Sequence, residues 1–181
     1  GSSLADAVVC VVSAKKGEFE FGFSSAARNT QREIIICKSQ GIQNFIFAIN
    51  KMDVVDNPEE RFNEIRDEIL HVIGKKYGIK ERNTCFVPIS AWTGMNLIER
   101  DEKLAWWKGT EVYGQLDKEN SAGRAFTLFE CMDLIGPTPR EEKAPFVMPL
   151  TNVYKIKGVG TVLAGRILSG RLNIGDEVCV V

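Results

Sequence analysis

Three apolar runs of strand length, at residues 7–12, 45–49 and 85–89, divide the first half of this 181-residue chain. The first reads Ala-Val-Val-Cys-Val-Val, with no polar residue between its branched ones. A run without polar alternation marks a strand covered on both faces, which is the condition of a parallel sheet. Helix-length segments separate the runs. Strand, helix, strand, helix, strand requires right-handed crossovers and places helices on both sides of the sheet. The sequence therefore predicts an α/β fold.

The crossovers carry their own signals. Thr30 with Glu33 predicts a capping box opening a helix that Gly41 closes. Asn57, Pro58 and Glu60 predict a second start, with a cap, a proline at the first helical position and an acidic residue at the third. Phe62, Ile65, Ile69, Val72 and Ile73 then recur at helical spacing until Gly78. Residues 15–27, rich in Gly, Ser and Phe, predict a loop. Residues 97–120, which include Trp106 and Trp107, predict a polar irregular stretch, and 127–134 a last short helix.

Gly136-Pro137-Thr138-Pro139, followed by Arg140, Glu141, Glu142 and Lys143, marks a linker. Beyond Pro145 the pattern turns to strands at 147–156, 161–168 and 177–181, with a turn at 158–160, as at the start of a β-barrel or sandwich. The expected division is residues 1–136, a linker at 137–145, and 146–181, the last too short to close a core alone. With no initiator methionine and an end at Val181 inside an apolar run, the sequence reads as a piece cut from both sides.

Composition narrows the function classes. The 23 basic and 24 acidic residues leave a net charge of -1, against a general nucleic-acid footprint. No apolar run approaches the roughly 20 residues that span a bilayer, and no signal peptide is recognisable. Cys10, Cys37, Cys85, Cys131 and Cys179 contain no C-x-x-C pair and predict small buried thiols in a reducing compartment. His71 is the single histidine, so a zinc site or a histidine-based triad lacks partners; it reads as a surface or satisfied core residue.

One tetrapeptide carries chemistry: Asn50-Lys51-Met52-Asp53, directly after the second predicted strand. A carboxylate at Asp53 can accept two hydrogen bonds side by side, from the ring imino N–H and the exocyclic amine of guanine. Adenine offers neither there and leaves the carboxylate unpaired, at about 1–3 kcal/mol per unsatisfied group. The Lys51 stem can lie flat on the purine face with its ammonium near water or ribose. The Asn50 amide can hold neighbouring loops in register, while Met52 contributes backbone and packing. The plain alternative is a polar turn after a strand. Its position at the C-terminal end of a parallel strand, where open α/β sheets bind ligands, favours the base-binding reading.

The third run ends in Ser90-Ala91-Trp92 at the same sheet edge. The Ala91 N–H is placed to meet a guanine keto oxygen, and Ser90 to brace the Asp53 loop. Trp92 has two equal readings, packing near the base or anchoring its loop on the core. There is no G-x-x-x-x-G-K-[ST] phosphate loop and no threonine recognisably placed for magnesium, so no catalytic or metal residue is assigned.

These residues resemble the eukaryotic elongation factor 1-alpha family of translational GTPases. The resemblance runs through Ala5-Asp6, Gly17-Glu18-Phe19-Glu20, Asn50 to Asp53, and Phe86 to Trp92 with Gly94 and Asn96. It continues through Trp106-Trp107-Lys108-Gly109, Val153-Tyr154-Lys155-Ile156, Gly160-Thr161-Val162 and Gly165-Arg166. The chain departs from the family at Asn29-Thr30-Gln31-Arg32-Glu33, at Ala91 in place of glycine, at Gly94-Met95-Asn96 and at Pro145-Phe146-Val147-Met148. The resemblance implies the second half of a P-loop-GTPase-type sheet followed by the first strands of a β-barrel domain. It implies a cytoplasmic protein that binds GTP or GDP, with Mg2+ and hydrolysis only in the full-length chain. Implied partners are aminoacyl-tRNA, the ribosome and a nucleotide exchange factor, with no membrane and no DNA. Two alternatives stand beside it: a termination or ribosome-rescue GTPase, and a truncated paralogue serving as a non-enzymatic interaction module.

Overall fold

The computed structural model describes residues 5–24, 29–113, 122–136 and 141–181. It forms two compact units, Gly1–Pro137 and Thr138–Val181. In the first, β1 (Ala7–Ser13), β2 (Asn44–Asn50) and β3 (Thr84–Pro88) form a parallel sheet in the order β1-β2-β3. Ser13 pairs with Asn50 and Ile49 with Pro88. This register brings three strand ends level, so the loops that leave them share one edge.

β2 is the central strand, and its apolar run serves two cores. Phe45, Phe47 and Ile49 face one side, with Ile34 and Cys37 of α1 (Asn29–Ser39) and Phe62, Ile65, Ile69 and Ile73 of α2 (Pro58–Tyr77). Ile46 and Ala48 face the other, with Cys85, Val87 and the Cys131 and Ile135 side chains of α3 (Leu128–Ile135). The two-residue period of a strand sends alternate side chains to opposite faces, and a strand apolar at every position fills both. α2 ends as expected at Gly78, whose φ of 60° lets its N–H reach the Gly74 carbonyl at 3.1 Å. Its start differs: the Asn57 amide donates to Glu60 at 3.4 Å and does not cap the backbone.

Other expectations are corrected. Thr30 is already the second residue of α1, so it is no cap. Of the loop expected at 15–27, residues 25–27 lie outside the described residues, and the described part contains a π-helical turn, Glu20–Ser24. It meets α2, where the Arg61 side chain is only 4% exposed and needs acceptors. Arg61 donates to the Ala14 carbonyl at 2.9 Å, to Glu20 at 2.7 Å and to Glu64 at 2.8 Å. The turn brings Glu20 to this charge and stacks Phe23 on Phe19 at 5.3 Å, both rings buried.

Of the stretch at 97–120, residues 114–120 lie outside the described residues, and the part at 97–113 is less irregular than its composition suggests. It contains β4 (Thr110–Tyr113), which pairs antiparallel with β5 (Ala122–Ala125). Trp106 and Trp107 pack against Phe62 at 5.5 and 5.0 Å, and the Trp107 indole N–H donates to the Phe126 carbonyl at 2.9 Å. α3 starts on a complete capping box of Thr127 and Glu130.

In the second unit β6 (Leu150–Ile156) and β7 (Gly160–Gly165) form an antiparallel hairpin, and Val147 bridges to Ser169. The strand expected at 177–181 does not form. Cys37, Cys85 and Cys131 are buried, Cys10 is half-buried and Cys179 is exposed, which corrects the expectation for the last. Among the described residues no helix is long and apolar enough to cross a membrane.

Core position sets mutational cost. Ile69→Ala, at a fully buried site, is expected to lower unfolding free energy by about 2–5 kcal/mol. Ile36→Ala, at a half-exposed site of α1, should change it by less than about 0.5 kcal/mol. Urea unfolding followed by circular dichroism measures both.

Candidate guanine-base site

The site begins at the last residue of β2. The Asn50 carbonyl accepts the Ala14 N–H at 2.7 Å, which ties it to the end of β1. The Asn50 side-chain oxygen accepts two more backbone donors, Lys51 N–H at 2.8 Å and Ala91 N–H at 2.9 Å. One short side chain thus holds the β2 and β3 loops together. It also stabilises an unusual backbone, because Lys51 has a φ of 68°. A non-glycine residue in the left-handed region costs on the order of 1–2 kcal/mol and persists only where surrounding bonds determine it. The next bond is Met52 N–H to the Ile89 carbonyl at 3.1 Å, with the Met52 side chain buried beneath the 3-10 turn Met52–Val54.

That turn presents Asp53 to solvent. Its carboxylate accepts no hydrogen bond from a described residue, so both oxygens can take donors from outside. Across the edge, Ser90 is fully buried and folds its own loop. Its N–H donates to the Met95 carbonyl at 3.1 Å, its carbonyl accepts Gly94 N–H at 2.9 Å, and its hydroxyl accepts Thr93 N–H at 3.3 Å. Trp92 stands on this loop 92% exposed.

Asn50, Lys51, Met52, Asp53, Ser90, Ala91 and Trp92 therefore lie on two loops of one edge. The loops are joined through Asn50, whereas the Ser90 hydroxyl serves its own loop. Ala91 N–H is engaged by Asn50, so a base oxygen reaches it only by sharing or replacing that bond. The exposure of Trp92 leaves it no part in anchoring the loop on the core. His71 is exposed on α2, and among the described residues no cluster of three metal-ligating groups exists.

One participant has no signal in local spacing. The Lys51 ammonium donates to Glu18 at 2.6 Å, and the Ser13 hydroxyl donates to the same carboxylate oxygen at 2.8 Å. Glu18 lies 33 residues away in sequence, and only the Ser13–Asn50 pairing of β1 with β2 brings the two loops together. Lys51 first and Ser13 second hold the Glu18 carboxyl down at about 2, from an ordinary 4.5.

Residues 1–138 match the family described as elongation factor Tu GTP binding domain. Elongation factor 1-alpha 2 of Euplotes crassus is 41% identical over 178 residues, which are 98% of this chain and 36% of that protein. Elongation factor 1-alpha of Desulfurococcus mucosus is 40% identical over 180 residues, 98% of this chain and 37% of that one. The chain thus spans little more than a third of the length of these curated relatives. Among solved structures, sup35 complexed with GDP superposes with a TM-score of 0.60 and 31% identity, covering 93% of this chain and 38% of its own. Elongation factor SelB of Methanococcus maripaludis in its apo form shares the fold, with a TM-score of 0.55 and 22% identity over 97% of this chain and 30% of its own.

A folded pKa below the ordinary value means that the Glu18–Lys51 pair is intact above pH 4.5 and is lost only as the pH falls toward about 2. Carboxyl-carbon NMR should show Glu18 titrating near that value, and Lys51→Met should move its midpoint up. A midpoint unchanged by Lys51→Met would remove the pair.

Proposed function

We propose, from the premise that this chain belongs to the elongation factor Tu GTP-binding domain family, that it is the base-reading half of a guanine-nucleotide site. The observation that supports this most is the junction at Asn50, which holds two loops together around an open Asp53 carboxylate. In this reading Asp53 accepts the imino and amino N–H groups of guanine, and the Lys51 stem covers one face of the ring. Asn50 fixes the distance between the loops, and Trp92 lies beside the base. Ser90 and Met52 shape the two turns and do not touch it. The bound nucleotide is GTP or GDP. Its phosphates and Mg2+ are held outside this chain, so the chain alone does not hydrolyse GTP.

The whole protein is then a cytoplasmic GTPase of protein synthesis that carries aminoacyl-tRNA to the ribosome and is recharged by an exchange factor. Elongation is preferred to termination or rescue because relatives named elongation factor 1-alpha match over 98% of the chain. The hairpin of β6 and β7 opens the β-barrel domain that follows the nucleotide domain, with the linker at 137–145 between them.

Asp53→Asn tests the assignment. It replaces an acceptor oxygen with a donor, which opposes the guanine amine and suits the keto group of xanthine. Titration of GMP and XMP into the 181-residue chain, followed by amide shifts, should show GMP weakened by about tenfold or more and XMP strengthened. An unchanged preference for GMP would take Asp53 out of the site.

A further inference from the structure

Lys51 has two places to put its charge. Only Met52 lies between it and Asp53 in sequence, and a four-carbon lysine stem is long enough to fold its ammonium onto that carboxylate and occupy the acceptors a base needs. It is instead drawn to Glu18, at 2.6 Å, on the segment that follows β1. That segment is itself fixed. Ser13 holds the same Glu18 oxygen, Lys15 pairs with the other at 3.4 Å, and the Glu18 and Phe19 N–H groups donate to the Lys15 carbonyl at 3.2 and 3.3 Å. Phe19 is buried, and Glu20 is anchored both by the Gly17 N–H at 2.5 Å and by buried Arg61 at 2.7 Å. The acceptor for the lysine thus stands on a braced turn, and the left-handed backbone at Lys51 sets the other end of the span.

We propose that Glu18 is a positioning residue for base binding: it holds the Lys51 ammonium beside β1, so that the lysine stem stays extended over the base position and the Asp53 carboxylate stays open. This rests on the guanine-site reading above. Glu18 touches no nucleotide in this account. Its contribution is to the fraction of the chain in which the site is ready, and a ligand's apparent affinity scales with that fraction.

The test is GMP and IMP binding to the 181-residue chain by NMR titration. Readiness affects every purine nucleotide equally, so Glu18→Gln should weaken GMP and IMP by the same factor, about three- to tenfold, with their ratio kept. Ser13→Ala, which loosens Glu18 without removing its charge, should give a smaller loss in the same direction. In a Lys51→Met background Glu18→Gln should have no further effect, a result that a merely structural role of Glu18 does not produce. Unchanged GMP affinity in Glu18→Gln, or an equal loss with Lys51 already absent, overturns the proposal. Failure of the unsubstituted chain to bind GMP, or of Asp53→Asn to alter the GMP and XMP preference, overturns the guanine-site reading itself.

Discussion

The Asn50 side-chain oxygen accepts two backbone N–H groups, one from the residue that follows it and one from Ala91 on the loop after the neighbouring strand. Most other features of the edge depend on this junction. It supports the left-handed backbone at Lys51, and so it sets the turn that delivers Asp53 to solvent while Met52 is buried. Asparagine suits the position because its carbonyl oxygen has two lone pairs, sits on a short stem and carries no charge to desolvate. The sheet contributes the precondition. Parallel pairing of β1, β2 and β3 in this register places Ser13 beside Asn50 and Pro88 beside Ile49, so that short bonds can join the three loops.

A second network runs beneath the first. Buried Arg61 gathers the Ala14 carbonyl, Glu20 and Glu64. Removing one partner of a buried charge leaves the other uncompensated, which makes such a cluster a rigid anchor even where its net stabilisation is small. Through Glu20 it fixes the π-helical turn, and Glu18 on the same segment meets Lys51. The Phe23 carbonyl at the far side of the turn accepts the buried Gln31 amide of α1 at 2.6 Å, and Gln31 in turn accepts the Tyr77 hydroxyl of α2 at 2.8 Å. The sheet edge that carries Asn50 to Asp53 and both crossover helices are therefore joined through one short segment.

The parts of this architecture that were legible in the sequence are those fixed by long, one-signal patterns. The three apolar runs became the three strands, and the helical period from Phe62 to Ile73 became α2 with Gly78 at its end. The motif at Asn50 to Asp53 was visible for the same reason, because its residues are consecutive. What escaped depends on partners distant in sequence. The π-helical turn presents Glu20 to a charge on α2, and β4 and β5 are four-residue strands, the first following Gly109 and the second containing Gly123, that exist only as a pair. Thr30 with Glu33 has the spacing of a capping box, yet the helix starts before it, while the same chemistry at Thr127 and Glu130 does form. Residues 177–181 have strand propensity and no strand to pair with among the described residues. The two loops of the site could be read from local sequence, but Glu18 could not, since nothing near it points to a lysine 33 residues away.

On the function proposed above, the Asp53 carboxylate reads a guanine edge between two loops locked by Asn50. The most direct measurement is a crystal structure of this chain grown with GMP. The base is expected between Lys51 and Trp92, with Asp53 oxygens about 2.7–3.2 Å from both the ring imino and the exocyclic amino nitrogen. A base bound elsewhere, or one whose amino edge faces water while Asp53 pairs with the chain, would contradict it.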